Sequence, residues 1–113
     1  MPNDGRAYEQ KYDITLDTTG VTYSTVFNFA GYNYAQQLEL KVDVSAGDGT
    51  CDFQIQVSDD GVTWFDVDMA TFTIAATGQD GLIIDAQGNY MRVEMDYTHG
   101  TVDTELEMFC LVR

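Results

Sequence analysis

Residues 38–57 read Leu38-Glu39-Leu40-Lys41-Val42-Asp43-Val44, then Ser45-Ala46-Gly47-Asp48-Gly49-Thr50, then Cys51-Asp52-Phe53-Gln54-Ile55-Gln56-Val57. Each flank alternates apolar and polar residues with a period of two, and the middle holds two glycines around an aspartate. A strand sends successive side chains to opposite faces, so each flank has one apolar face and one wet face. A helix would need apolar residues three and four apart, and neither flank sustains that spacing. The stretch therefore reads as two strands joined by a glycine turn. Burial on one face only is the mark of antiparallel sheets packed against each other.

The same alternation returns at Met91, Val93, Met95 and Tyr97 against Arg92, Glu94 and Asp96. It returns again at Leu106, Met108, Cys110 and Val112, opposite Glu105, Glu107, Phe109 and Leu111. Further strands are expected at 12–16, 21–29, 62–67, 72–75 and 82–85. Turn residues separate them at Thr19-Gly20, Gly31, Asp59-Asp60-Gly61, 78–81, Gly88-Asn89 and His99-Gly100. Short strands with turns about every ten residues predict an all-β fold, an antiparallel β-sandwich that is jelly-roll-like with about eight strands. Residues 1–11 lack the alternation and are expected to form a polar N-terminal arm, leaving 12–113 as one sandwich domain. Its core should hold Leu38, Leu40, Val42, Phe53, Ile55, Val57, Val93, Met95, Leu106 and Met108.

Nineteen acidic residues face five basic ones, a formal net charge of −14 over 113 residues. Such a surface repels phosphate backbones and anionic lipid, so neither nucleic acid nor membrane is an expected partner. No apolar run approaches the ~18 residues of a membrane span, and no export signal is visible in the first twenty residues. Cys51 and Cys110 are too few and too far apart for a zinc site. Both fall on apolar strand faces, which favours buried free thiols over a disulfide. Loop aspartates such as Asp48, Asp59, Asp60, Asp66, Asp80 and Asp85 are of the type that ligates Ca²⁺, but the EF-hand spacing is missing. No metal and no cofactor is expected.

Little in the sequence supports catalysis. His99 is the only histidine and sits in a turn-like Thr98-His99-Gly100-Thr101. No Gly-x-Ser-x-Gly elbow occurs. The pairs Glu94/Asp96 and Glu105/Glu107 share polar strand faces without a cleft to separate an acid from a base.

The sharpest local pattern is Ser58-Asp59-Asp60-Gly61-Val62-Thr63-Trp64. It reads as a hairpin turn in which Ser58 and Asp60 cap backbone amides, Gly61 takes positive φ, and Thr63 leads to Trp64, packed over the turn or into the core. The spacing Ser-x-Asp-Gly-x-Thr-Trp resembles the hairpin of discoidin-like, galactose-binding-type sandwiches, and it is similar to small β-sandwich proteins of tailed-bacteriophage virions. Asn89-Tyr90-Met91-Arg92-Val93 resembles a Tyr-x-Arg-Val strand that follows in such domains. The likeness spans about residues 38–112. A sialidase aspartate box is one residue longer between aspartate and glycine, and a propeller needs more chain than this one has.

Discoidin-like modules bind sugars or lipid head groups, but none of their loop ligands matches a position here. Phage sandwiches of this size serve as head decoration (cement) proteins or as tail and fibre components. The resemblance therefore implies a non-enzymatic virion structural protein, most concretely a capsid decoration protein assembled in the host cytoplasm. Its partners would be the major capsid protein or another virion protein, and it would form a homo-oligomer on a symmetric site. Tyr23, Phe27, Phe29, Tyr32, Tyr34, Phe109 and Leu111 exceed the needs of one small core and are the candidate partner-binding residues. The alternatives are a tail or fibre component of the same class, or a carbohydrate-binding module that stacks a glycan on residues such as Tyr32, Tyr34 or Trp64.

Overall fold

The computed structural model describes residues 8–32 and 36–112, and these form nine strands: β1 (Tyr8–Leu16), β2 (Gly20–Tyr23), β3 (Phe27–Asn28), β4 (Gln37–Ala46), β5 (Thr50–Ser58), β6 (Phe65–Ala75), β7 (Gly78–Asp85), β8 (Tyr90–Thr98) and β9 (Thr104–Val112). A first sheet has the order β1-β9-β4-β7. A second has the order β2-β8-β5-β6, with β3 continuing the β2 position along β8. Every pairing is antiparallel. The chain changes sheet at almost every connection, so β5–β6 is the long hairpin that stays within one sheet. This nested order is the double-sheet jelly roll, in which β2 and β3 share one of eight strand positions.

The alternation seen in the sequence sets the layers. Leu38, Leu40, Val42 and Val44 of β4 face Cys51, Phe53, Ile55 and Val57 of β5 across the interior. Met91, Val93, Met95 and Tyr97, with Leu106, Met108, Cys110 and Val112, complete it. All ten expected core residues are buried. The Tyr97 hydroxyl is also buried and shares a 2.8 Å hydrogen bond with Thr104 Oγ1, which meets the need of a phenol removed from water.

The turn expected at 78–81 is instead the first half of β7, paired with β4, and four other departures from the expected elements have local causes. β1 begins at Tyr8, so residues 8–11 pair with β9 from Val112 back to Phe109 and belong to the sheet, not to an arm. The polar Gln10 on the inward-facing side of β1 hid this extension; residues 1–7 lie outside the described residues. The expected strand 21–29 is split because Ser24 closes the edge with its side chain: its Oγ accepts from Val93 N at 2.8 Å, and its own N–H donates to Val93 O. β6 starts at Phe65, since Val62 and Thr63 spend their amides on the turn. It then runs through to Ala75 over a wide bulge, with 67–70 lying between the pairs Gln56↔Asp66 and Gln54↔Thr71. Met69 takes φ +61 there and is 89% exposed, while Ala70 turns inward. Gln54 Nε2 holds the bulge by donating to the carbonyls of Val67 and Ile55, at 2.9 and 2.8 Å.

Candidate functional site

The register of the first sheet places its outward side chains in rows across the four strands. One row runs Glu9, Leu111, Glu39, Ile83, and the next runs Lys11, Phe109, Lys41, Gly81. A third runs Asp13, Glu107, Asp43, Gln79. Phe109, Ile83 and Gly81 line a groove of about 650 Å³ whose polar lining includes Glu39, Lys41, Asp43 and Asp80. Leu111 extends the apolar floor toward Glu9. Gly81 is required by a close approach: a Cβ there would collide with the Leu40 carbonyl, and its absence leaves the groove open beside Lys41.

The charges on this face are unevenly matched. Lys11 Nζ lies 3.2 Å from Glu107 and 3.9 Å from Asp13, and 6.0 Å from the Phe109 ring centre. Lys41 Nζ lies 3.8 Å from Glu39. Asp13, Glu107 and Asp43 are direct cross-strand neighbours. Like charges directly opposite each other destabilise a sheet, and here three carboxylates stand in line beside a row that holds Lys11 and Lys41.

The outer face of the second sheet carries a different cluster. The Arg92 guanidinium lies 4.0 Å from the Tyr23 ring centre and 4.5 Å from that of Trp64. Its Nε donates to Gln56 Oε1 at 2.7 Å, and Gln56 Nε2 donates to Asp66 Oδ1 at 2.8 Å. Trp64 thus lies outside the core cluster. It stacks on the arginine of the next strand but one, which joins the two resemblance motifs in space.

The Ser58–Trp64 turn closes on itself. Ser58 Oγ accepts from Gly61 N at 2.8 Å and donates to Asp60 Oδ1 at 3.0 Å. Asp60 Oδ1 accepts from Val62 N and Thr63 N, both at 2.8 Å. Those amides hold the Asp60 carboxyl below its ordinary range. Gly61 has φ +77, a conformation that a Cβ would strain. At the other end of the sandwich Asp48 accepts from Thr101 Oγ1 at 2.5 Å, Thr101 N at 2.8 Å and Val102 N at 3.1 Å. The Thr101 hydroxyl chiefly, with the two amides, lowers its pKa to about 2. His99 Nε2 lies 3.0 Å from Asp103 Oδ1, a partner that raises the pKa of the imidazole.

The sequence candidates separate accordingly. Phe109 and Leu111 do reach the outer face and flank the groove. Tyr23 is exposed and stacks on Arg92. Phe27 and Phe29 correct the expectation: they are 0% and 3% exposed, because β3 pairs Phe27 with Met91 and the backbone just past it, where Phe29 N donates to Asn89 O at 3.0 Å, keeps Phe29 on the same inward side. Tyr32 is half-buried against the core, and Tyr34 lies outside the described residues. Cys51 and Cys110 are buried as free thiols, and burial pushes both up to about 12. Among the described residues no group of His, Cys, Asp or Glu side chains is arranged to hold a metal ion. Lys41, Gly81 and Ile83 escaped the sequence reading, since only the β4–β7 register brings them beside Phe109.

No family model matches the sequence, and no curated protein matches it. Solved structures do. The PBSX exported protein XepA superposes with a TM-score of 0.67 at 16% identity, over 93% of this chain and 36% of that one. This chain therefore spans about a third of XepA's length. PirA superposes with a TM-score of 0.57 at 12% identity, over 88% of this chain and 92% of that one. At such identities the likeness establishes a shared fold. The SPBc2 prophage-derived protein YomS is a more distant likeness, with a TM-score of 0.48 at 13% identity over 92% of this chain and 95% of that one.

Proposed function

We propose that this chain is a non-enzymatic structural protein of a phage-type virion, and most concretely a decoration protein that binds across neighbouring subunits of the capsid shell. The observation that carries this reading is the groove on the outer face of the first sheet. Phe109 and Leu111, half-buried on the central strand β9, and Ile83, exposed on the edge strand β7, form an apolar strip across a face that is mostly charged. A sheet face that served only solubility would have no reason to place them there. Interfaces are built this way, with an apolar centre and a polar rim. The sequence likeness to phage virion sandwiches and the fold shared with the PBSX exported protein XepA support the same class. A glycan-binding role finds less support, because Arg92 already covers the Trp64 ring and Tyr32 lies against the core.

Co-sedimentation with assembled particles tests the reading. The native chain is expected to pellet with shells, Phe109→Asp to stay in the supernatant, and Val62→Ala, a change in an exposed turn, to behave as the native chain. A native chain that never pellets with particles, or a Phe109→Asp chain that pellets equally well, would overturn it.

A further inference from the structure

The groove also specifies the chemistry of what docks in it, and this inference rests on the docking role proposed for the same face. Around Phe109, Leu111 and Ile83 the outward rows supply Glu9, Asp13, Glu39, Asp43, Glu105 and Glu107, against Lys11 and Lys41. Both lysines are engaged by carboxylates of their own sheet, at 3.2 Å for Lys11–Glu107 and 3.8 Å for Lys41–Glu39. The face is thus an apolar floor in a frame of surplus negative charge, within a chain whose net charge is already −14.

Asp13, Glu107 and Asp43 sharpen the point. They are adjacent across β1, β9 and β4, three carboxylates in one row that Lys11 offsets at Glu107 and Asp13 on one side. Local arrangements that lower stability without a folding benefit are concentrated where a surface has a task. A cation brought by a partner would relieve this repulsion, while apolar side chains of the same partner would cover Phe109 and Leu111. We infer that the outer face of the β1-β9-β4-β7 sheet docks a protein segment in which lysine or arginine residues alternate with apolar ones. An acidic or purely apolar segment would meet either repulsion or an unneutralised frame.

The test uses the full chain and two defined probes, a ten-residue peptide alternating lysine with leucine and its glutamate–leucine counterpart. Amide shifts on titration with the lysine peptide are expected at Glu39, Lys41, Glu107 and Phe109, and the glutamate peptide is expected not to bind. Raising salt from about 0.05 to about 0.5 M should weaken the lysine peptide by about tenfold, as screening of surface charge demands. The variant Asp43→Asn, which relieves the Asp43–Glu107 contact and leaves the Lys11–Glu107 pair in place, should unfold at no lower a temperature than the native chain and yet bind the lysine peptide at least about threefold more weakly; the double variant Asp43→Asn, Glu107→Gln should bind it more weakly still. Weaker binding without a loss of stability is a pairing that a merely solvated acidic face would not give. Equal binding of the two peptides, shifts confined to another face, or unchanged affinity in either variant would each overturn the inference. A chain that takes the lysine peptide but never joins particles would reject the virion role and leave this inference standing. A chain that joins particles but ignores the peptide would do the reverse.

Discussion

Arg92 shows how single residues tie this molecule together. Its guanidinium is held against Tyr23 and Trp64 and anchored through Gln56 to Asp66, so one side chain spans β2, β8, β5 and the start of β6. Arg92→Lys keeps the charge but loses the flat plane that both rings need. It is expected to cost about 1 kcal/mol of stability, seen as a lower urea midpoint with Trp64 fluorescence as the reporter. The titrating residues predict a pH profile as well. Asp48 and Asp60 have depressed pKa values, so their contribution is complete above the ordinary carboxylate value of 3.8 and is lost as pH falls, toward about 2 for Asp48. His99 has a raised pKa, so its contribution is complete below 6.5 and is lost as pH rises through the folded value. Melting temperature against pH should therefore drop steeply in acid and decline gently near neutrality, and His99→Gln should remove only the second fall. At this scale the caps around Ser58 and Asp60 were legible, because turn chemistry is local. The Trp64–Arg92 stack was not, although both motifs stood out, since the 27 positions between them hold no sign that they meet.

Elements with one wet face announced themselves, and edge elements did not. β4, β5, β8 and β9 are paired on both sides, and their burial patterns keep the period of two that the sequence displays, except at the end of β5, where Gln56 and Ser58 are buried as well. β6 is an edge strand whose alternation is broken by four residues of bulge, so it read as two separate strands. The bulge also blunts that edge against pairing with other chains. Gln54→Leu should unfasten it: the carbonyls of Val67 and Ile55 lose their donor, and the expected cost is about 1–3 kcal/mol. Hydrogen exchange is expected to quicken in 65–75 well before it quickens in β8. Gly81→Val makes a complementary test on the first sheet, where β7 approaches β4 too closely for a side chain. It should destabilise by about 1–3 kcal/mol, by forcing β7 away from the Leu40 carbonyl and widening the groove.

The whole molecule is two sheets built from strands distant in sequence, with β1 closing on β9 at opposite ends of the chain. Such topology delays folding, because long loops must close before pairing rewards them, and refolding is expected on the millisecond-to-second scale in stopped-flow mixing. The antiparallel sandwich was legible from alternation and turn spacing, while which strands pair, and so the jelly-roll order and which outward residues share a row, was not. The candidate groove depends on that register, and so does the central claim that the chain works by docking the outer face of its first sheet onto a particle. Photo-cross-linking from position 109, in particles assembled with the full chain, tests this most directly. The account predicts covalent adducts between residue 109 and a shell subunit, absent when the photo-reactive group is placed at position 102, an exposed residue of the β8–β9 loop. Adducts from 102 with none from 109, or a chain that remains wholly apart from the particles, would contradict it.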